Sequence, residues 1–180
     1  MREQFSGTLG ATPTTAPKAR PNVTQIMLDA GSLSFAEGLQ SARFGEDLCL
    51  AMGSPRFEDT ALQTLSASEG AAAAWYQGFK QRAFATPPMA RGRFAAILIR
   101  EGGRRATFVT DRFATWPVCF SHANGQLQFA DRADCVPKLQ KTISRQAIFD
   151  YLFLHMIPAP TTIFDGVSRL PAGHVLHWTP

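Results

Sequence analysis

Apolar residues gather into short runs along residues 92–131, and glycine or proline punctuates each run. The runs 92–100, 106–113, 116–120 and 126–131 are rich in β-branched, aromatic and aliphatic side chains, the composition of strands bounded by turns. Gly102-Gly103 and Asn124-Gly125 supply residues that tolerate φ > 0, as tight hairpins require. The pattern predicts a four-stranded antiparallel meander. Upstream, residues 5–9, 24–29 and 32–36 read as strands, the last two joined at Ala30-Gly31. Residues 47–52 form a near-continuous apolar run ended by Gly53-Ser54-Pro55, which suits a strand covered on both faces.

Two segments carry helical periodicity. Ser66 followed by Glu69 has capping-box spacing, residues 71–74 are all alanine, and Trp75 and Phe79 extend an apolar stripe. A helix is predicted over 66–84, stopped by Pro87-Pro88. A second is predicted over 144–155, with Ile148, Tyr151, Leu152 and His155 on one face. Residues 174–178 read as a last strand. This order of elements predicts an α+β fold with helices layered on antiparallel sheets.

Composition narrows the class. With 45% hydrophobic and 18% charged residues in 180, the chain is long enough for one domain with a sizeable core. The Pro/Thr-rich stretch 11–22 is expected to be a flexible loop. The longest apolar runs are too short to span a bilayer and no secretory signal is evident, so a cytoplasmic location without membrane contact is expected. A net charge of +4 comes from scattered arginines, which argues for a solvated rim and against nucleic acid. Cys49, Cys119 and Cys135 have no C-x-x-C spacing and read as buried small hydrophobes. His174 and His177 lie three apart in a strand, a poor chelate, so no metal is expected. His122 reads as a turn neighbour and His155 as a helix end.

Two segments carry a resemblance. Gly92, Phe94, Ala95, Asp111, Arg112, Phe113, Pro117, Leu127, Phe129 and Ala130 fall in order on the pattern Gly-x-Phe-Ala, Asp-Arg-Phe-Gly-x-x-Pro, Gly-x-Leu-x-Phe-Ala. Residues 157–174, Ile-Pro-Ala-Pro-Thr-Thr-Ile-Phe-Asp-Gly-Val-Ser-Arg-Leu-Pro-Ala-Gly-His, form a second match. Both resemble the amino-terminal class II glutamine amidotransferase domain of asparagine-synthetase-type proteins. That group includes cysteine-less homologues such as lasso-peptide cyclases. The resemblance implies an Ntn-hydrolase-like αββα four-layer sandwich, a single domain over 1–180, and an ATP-pyrophosphatase synthetase domain that this chain does not include.

It also implies where chemistry belongs. Such an amidotransferase attacks glutamine with a cysteine exposed as the first residue, and its α-amino group, titrating near neutrality, assists as base. Here Met1 is followed by Arg2, so no catalytic residue is assigned and the chain alone is expected to be inactive. Cleavage before Ser6 or Thr8 would create a hydroxyl nucleophile, though no processing signal surrounds them. For substrate binding, Gly53 and Arg56 are the candidates near the position of the family's Asn-Gly-Glu motif. The nearest acids, Glu58, Asp59 and Glu69, have no matching context. Asp111, Arg112 and Pro117 are assigned to a structural turn. Pro158, Pro160, Phe164 and Pro171 are assigned to a partner interface, the partner being an ATP-dependent synthetase domain or subunit. ATP and Mg are expected only there, with none in this chain, and a homo-oligomer stays open. Three readings follow: a scaffold without glutaminase activity, an active glutamine-hydrolysing half, or a peptide- or protein-binding module.

Overall fold

The computed structural model describes residues 4–11, 22–137 and 142–180. Most of the loop expected over 11–22 therefore lies outside the described residues. Eleven strands and three α-helices are described. One antiparallel sheet contains β1 (Phe5–Leu9), β2 (Val23–Leu28), β3 (Gly31–Ala36), β8 (Cys119–Ala123), β9 (Gln126–Ala130) and β10 (Ser168–Arg169), in the order β10-β8-β9-β1-β3-β2. The second contains β4 (Gln40–Phe44), β5 (Asp47–Phe57), β6 (Ala90–Arg100), β7 (Arg105–Thr110) and β11 (Val175–Trp178), in the order β11-β7-β6-β5-β4.

The sheets pack on each other through Phe5, Leu9, Leu33, Phe35, Leu127 and Phe129 on one side, and Leu48, Leu50, Met52, Ile97 and Phe108 on the other. Alternate residues of β5 and β6, including Cys49, Ala51, Ala96 and Leu98, face outward against α1 (Thr60–Glu69) and α2 (Ala71–Gln81). This two-sided burial is why residues 47–52 are almost unbroken in apolarity. Trp75 is fully buried beneath α2, its ring against those of Phe57, Phe79 and Phe94. The chain is thus α+β with antiparallel sheets in layers, as the order of elements implied.

Several local expectations give way. The single helix over 66–84 is two helices, broken at Gly70 with φ 94°. Ser66 lies inside α1 and caps nothing; the cap is Asp59, whose carboxylate accepts from the backbone N–H groups of Ala61 and Leu62. A cap and a positive-φ glycine bracket ten residues, and the weaker box inside them loses. The meander also divides. β6 and β7 pair in one sheet, β8 and β9 in the other. Alternation fixes which residues share a face but not which sheet a hairpin joins; residues 111–118 carry the chain across. β5 runs on through Gly53-Ser54-Pro55 to Phe57, because Gly53 (φ 78°) and Gly92 (φ 101°) absorb the distortion within an unbroken register against β6.

The third helix, α3 (Arg145–Leu154), begins at the expected cap, Ser144, and ends with His155 in left-handed conformation. Its periodic face does not meet the core. Ile148, Tyr151, Leu152 and His155 are exposed, and Ala147 is the buried residue of the helix.

Candidate functional site

Where β1 enters, the two sheets leave a cleft of about 300 Å3. It is lined by Gln4, by residues 37–39 between β3 and β4, by Gln40 at the start of β4, by residues 51–53 of β5, and by Trp116. Each contribution has a local cause. The Gln4 backbone N–H donates to the buried carboxylate of Asp131 at 3.0 Å, and the Asp131 N–H donates to the Phe5 carbonyl at 3.2 Å. Asp131 follows β9 directly, so the entry of β1 is tied to the neighbouring strand. Gln40 turns its amide oxygen to the Ala71 N–H at 2.6 Å, capping α2. Gly53 meets the Trp116 indole edge so closely that an added Cβ would lie 2.8 Å from Nε1 and 2.1 Å from the Arg93 carbonyl oxygen.

Of the two substrate-binding candidates, Gly53 lines this cleft. Arg56 lies further along β5, exposed and outside it. Glu37 is the one charged residue among the described lining residues. Glu58 pairs with Arg91 at 2.9 Å, Asp59 is spent as a helix cap, and Glu69 ends α1 in solvent. Ser6 and Thr8 alternate in β1 with Phe5 and Leu9, which are buried between the sheets. Their side chains therefore project from the opposite face of that sheet. Gln4, Glu37, Gln40 and Trp116 were not legible in the sequence, because they come from three separated segments with no shared motif.

Asp111 is 2% exposed at the end of β7. Its carboxylate accepts from the backbone N–H groups of Phe113 (2.7 Å), Phe94 (3.0 Å) and Thr115 (3.2 Å). Its own carbonyl accepts from Gly173 at 2.7 Å. One side chain thus organises the crossing between sheets and anchors the segment entering β11. Arg112 is exposed, its guanidinium 4.7 Å from the centre of the Phe113 ring, and Pro117 is half-buried in the crossing. Pro158, Pro160, Phe164 and Pro171 lie at the far edge of the first sheet or in the approach to β11. Pro160 and Phe164 line a separate cleft of about 400 Å3 with His122, Ser144 and Asp165.

No group of three or more His, Cys, Asp or Glu residues is placed to hold a metal among the described residues. Likewise, none of the described helices is long and apolar enough to cross a membrane. His174 precedes β11, its Nδ1 2.9 Å from the Ala172 carbonyl, while His177 meets the Thr107 hydroxyl at 3.1 Å. Burial dominates the chemistry of two thiols. It pushes Cys49 far up, and it pushes Cys119 up to about 11 despite the opposing charge of Arg169. A raised thiol pKa stabilises the fold below the ordinary value of 9.0, and that stability is lost as pH rises through the folded value. The urea midpoint is expected to fall between pH 9 and 11, less steeply in Cys119→Ala. An equal slope in that variant would contradict the assignment. Neither thiol should react with a disulfide reagent at pH 8 faster than the chain unfolds.

A family model described as a glutamine amidotransferase domain matches residues 59–180, more than half of the chain. It spans α1 to β11 and therefore includes Asp111, the crossing between the sheets and the proline-bearing segment. No match is found among curated proteins.

Proposed function

We infer a function from one premise: this chain belongs to the glutamine amidotransferase domain family. The reading supported best is an amidotransferase-like domain of asparagine-synthetase type, without glutaminase activity of its own. Its role is to serve as scaffold for an ATP-dependent, amide-forming synthetase half, with ATP and Mg bound by that half.

The observation that carries this reading is the charge of the cleft. Glutamine is zwitterionic at neutral pH. Holding it away from water takes a cation for the α-carboxylate, best a bidentate arginine, and an acid for the ammonium. The described lining offers Glu37 and neutral groups, which is half of that clamp. Gln40 has its amide oxygen committed to α2. Ser6 and Thr8, the hydroxyls that processing would have to expose, project away from the space between the sheets. The scaffold role draws on Pro158, Pro160 and Pro171, since prolines held rigid lose little entropy on docking.

Titration calorimetry with glutamine is expected to show binding weaker than about 1 mM. Saturable binding well below that concentration would overturn the reading. A second reading, an active glutamine-hydrolysing half, is favoured by the family match and by the position of the cleft at the entry of β1. It requires a mature first residue that is Cys, Ser or Thr, which intact mass and N-terminal sequencing decide.

A further inference from the structure

The geometry points to a binding site for a small phosphate-bearing anion on the outer face of the second sheet. There Arg100, Arg105, Thr107 and His177 line a cleft of about 250 Å3. It is separate from the cleft between the sheets, so it stands whether or not glutamine binds there.

Strand register brings the four side chains together. Arg100 pairs with Arg105 across the hairpin of β6 and β7, and His177 of β11 pairs with Thr107 of β7. Arg105 and Thr107 are two apart in one strand, so all four side chains share a face. Ile99, Ala106 and Phe108 take the inner face, between the sheets. The cationic face is therefore the outer one. Neither α1 nor α2 contributes to the described lining, so the helices that cover the rest of this face stop short of the cleft.

The charge there is incompletely answered. Like charges directly opposite each other in a sheet repel. Arg105 is partly relieved by Glu101, its Nε 3.0 Å from the carboxylate, with both side chains about half exposed. Arg100 is in no ion pair among the described residues. Asp47, at the same end of the sheet, accepts from the Tyr76 hydroxyl at 3.3 Å and from the Glu101 N–H at 3.1 Å. No acid stands among the described lining residues. A dianion between the two guanidinium groups would supply the missing counter-charge, each fork offering paired N–H donors to its oxygens. The Thr107 hydroxyl lies 3.1 Å from His177 Nδ1. With the hydroxyl donating, Nε2 carries the imidazole proton and can donate to the same ligand.

A second, independent feature is the backbone beside the cleft. The left-handed turn that ends a helix usually takes glycine. After α2 it is taken by Ala83 and Phe84, with φ 49° and 59°. A bulky residue in this region is an outlier, and such strain gathers at functional sites. Here it sets the Phe84 ring beneath the Arg100 guanidinium, 4.1 Å from the ring centre. A guanidinium stacked on a ring is held in place while its N–H edges stay open to a ligand. The cleft is smaller than the roughly 300–1,000 Å3 of sites for drug-sized ligands. Its occupant is therefore a free phosphate or a small phosphate ester.

Calorimetric titration of the full chain with inorganic phosphate and with glycerol 3-phosphate tests this, at about 0.15 M salt so that diffuse surface charge is screened. Wild type is expected to bind at least one probe with a Kd below about 1 mM, the tighter probe identifying the source. Arg100→Gln and Arg105→Gln should each weaken that binding about tenfold or more. Arg105 is exposed, so its variant decides the matter even where Arg100→Gln does not fold. Arg104→Gln, at an exposed arginine outside the described lining, should leave binding unchanged. Absence of saturable binding by wild type would overturn the site. So would binding that neither lining variant weakens, or an equal loss in Arg104→Gln, which would reduce the effect to general surface charge.

Discussion

Replacing Asp111 with alanine is expected to destabilise the domain by roughly 3–5 kcal/mol, since each buried donor left unmet costs about 1–3 kcal/mol. Three such donors, the N–H groups of Phe94, Phe113 and Thr115, point at this one carboxylate. The costs do not simply add, because water can reach the partly exposed turn at 112–114 once the side chain is shortened. Asp111→Asn keeps one acceptor but turns an NH2 group toward donors, so it should fall between the two. Urea denaturation reads the effect as a lower midpoint at constant slope. A loss below about 1 kcal/mol would mean that the carboxylate is not what holds the crossing, since it is smaller than one unmet donor. The backbone bonds around Asp111 would then suffice.

Replacing Gly53 with alanine is expected to cost about 3 kcal/mol or more, combining strain at positive φ with an overpacked contact. Gly53 has φ 78°, and the added Cβ would meet the Arg93 carbonyl oxygen at 2.1 Å, a backbone atom of β6 that cannot rotate away. The damage would fall on the β5–β6 pairing and on the cleft wall that Trp116 shares. Gly125 makes an internal comparison. It also has positive φ but nothing lies within 4 Å of its Cβ direction, so alanine there meets only the conformational penalty. The expected order of destabilisation, measured by urea midpoints, is Gly53→Ala well above Gly125→Ala. The reverse order would contradict the close approach at the cleft.

Much of the fold was legible because it is written locally. Asn124 and Gly125 both adopt positive φ, 51° and 71°, and turn β8 into β9 where the dipeptide said they would. Ser144 caps α3, and the alternating burial of β1 and β3 follows the period of two. What escaped is written non-locally. No periodicity tells that the hairpin of β6 and β7 and the hairpin of β8 and β9 belong to different sheets, a choice settled by the Asp111 crossing. β4 escaped because Gln40-Ser41-Ala42-Arg43-Phe44 is polar and takes its pairing from β5. The apolar spacing of α3 was visible, but spacing cannot say whether a stripe meets its own core or another molecule. The cleft was the least legible part. Gln4, Glu37, Gly53 and Trp116 meet only once both sheets exist, and of these only Gly53 had a motif position to mark it.

We propose that an amidotransferase-family domain persists here while the hydrolysis of glutamine does not. Ammonia released from glutamine by the purified chain, followed with a coupled dehydrogenase and set against a heat-denatured sample, tests it most directly. The two traces are expected to coincide. Sustained release above the denatured sample, abolished when the mature first residue is blocked, would contradict it.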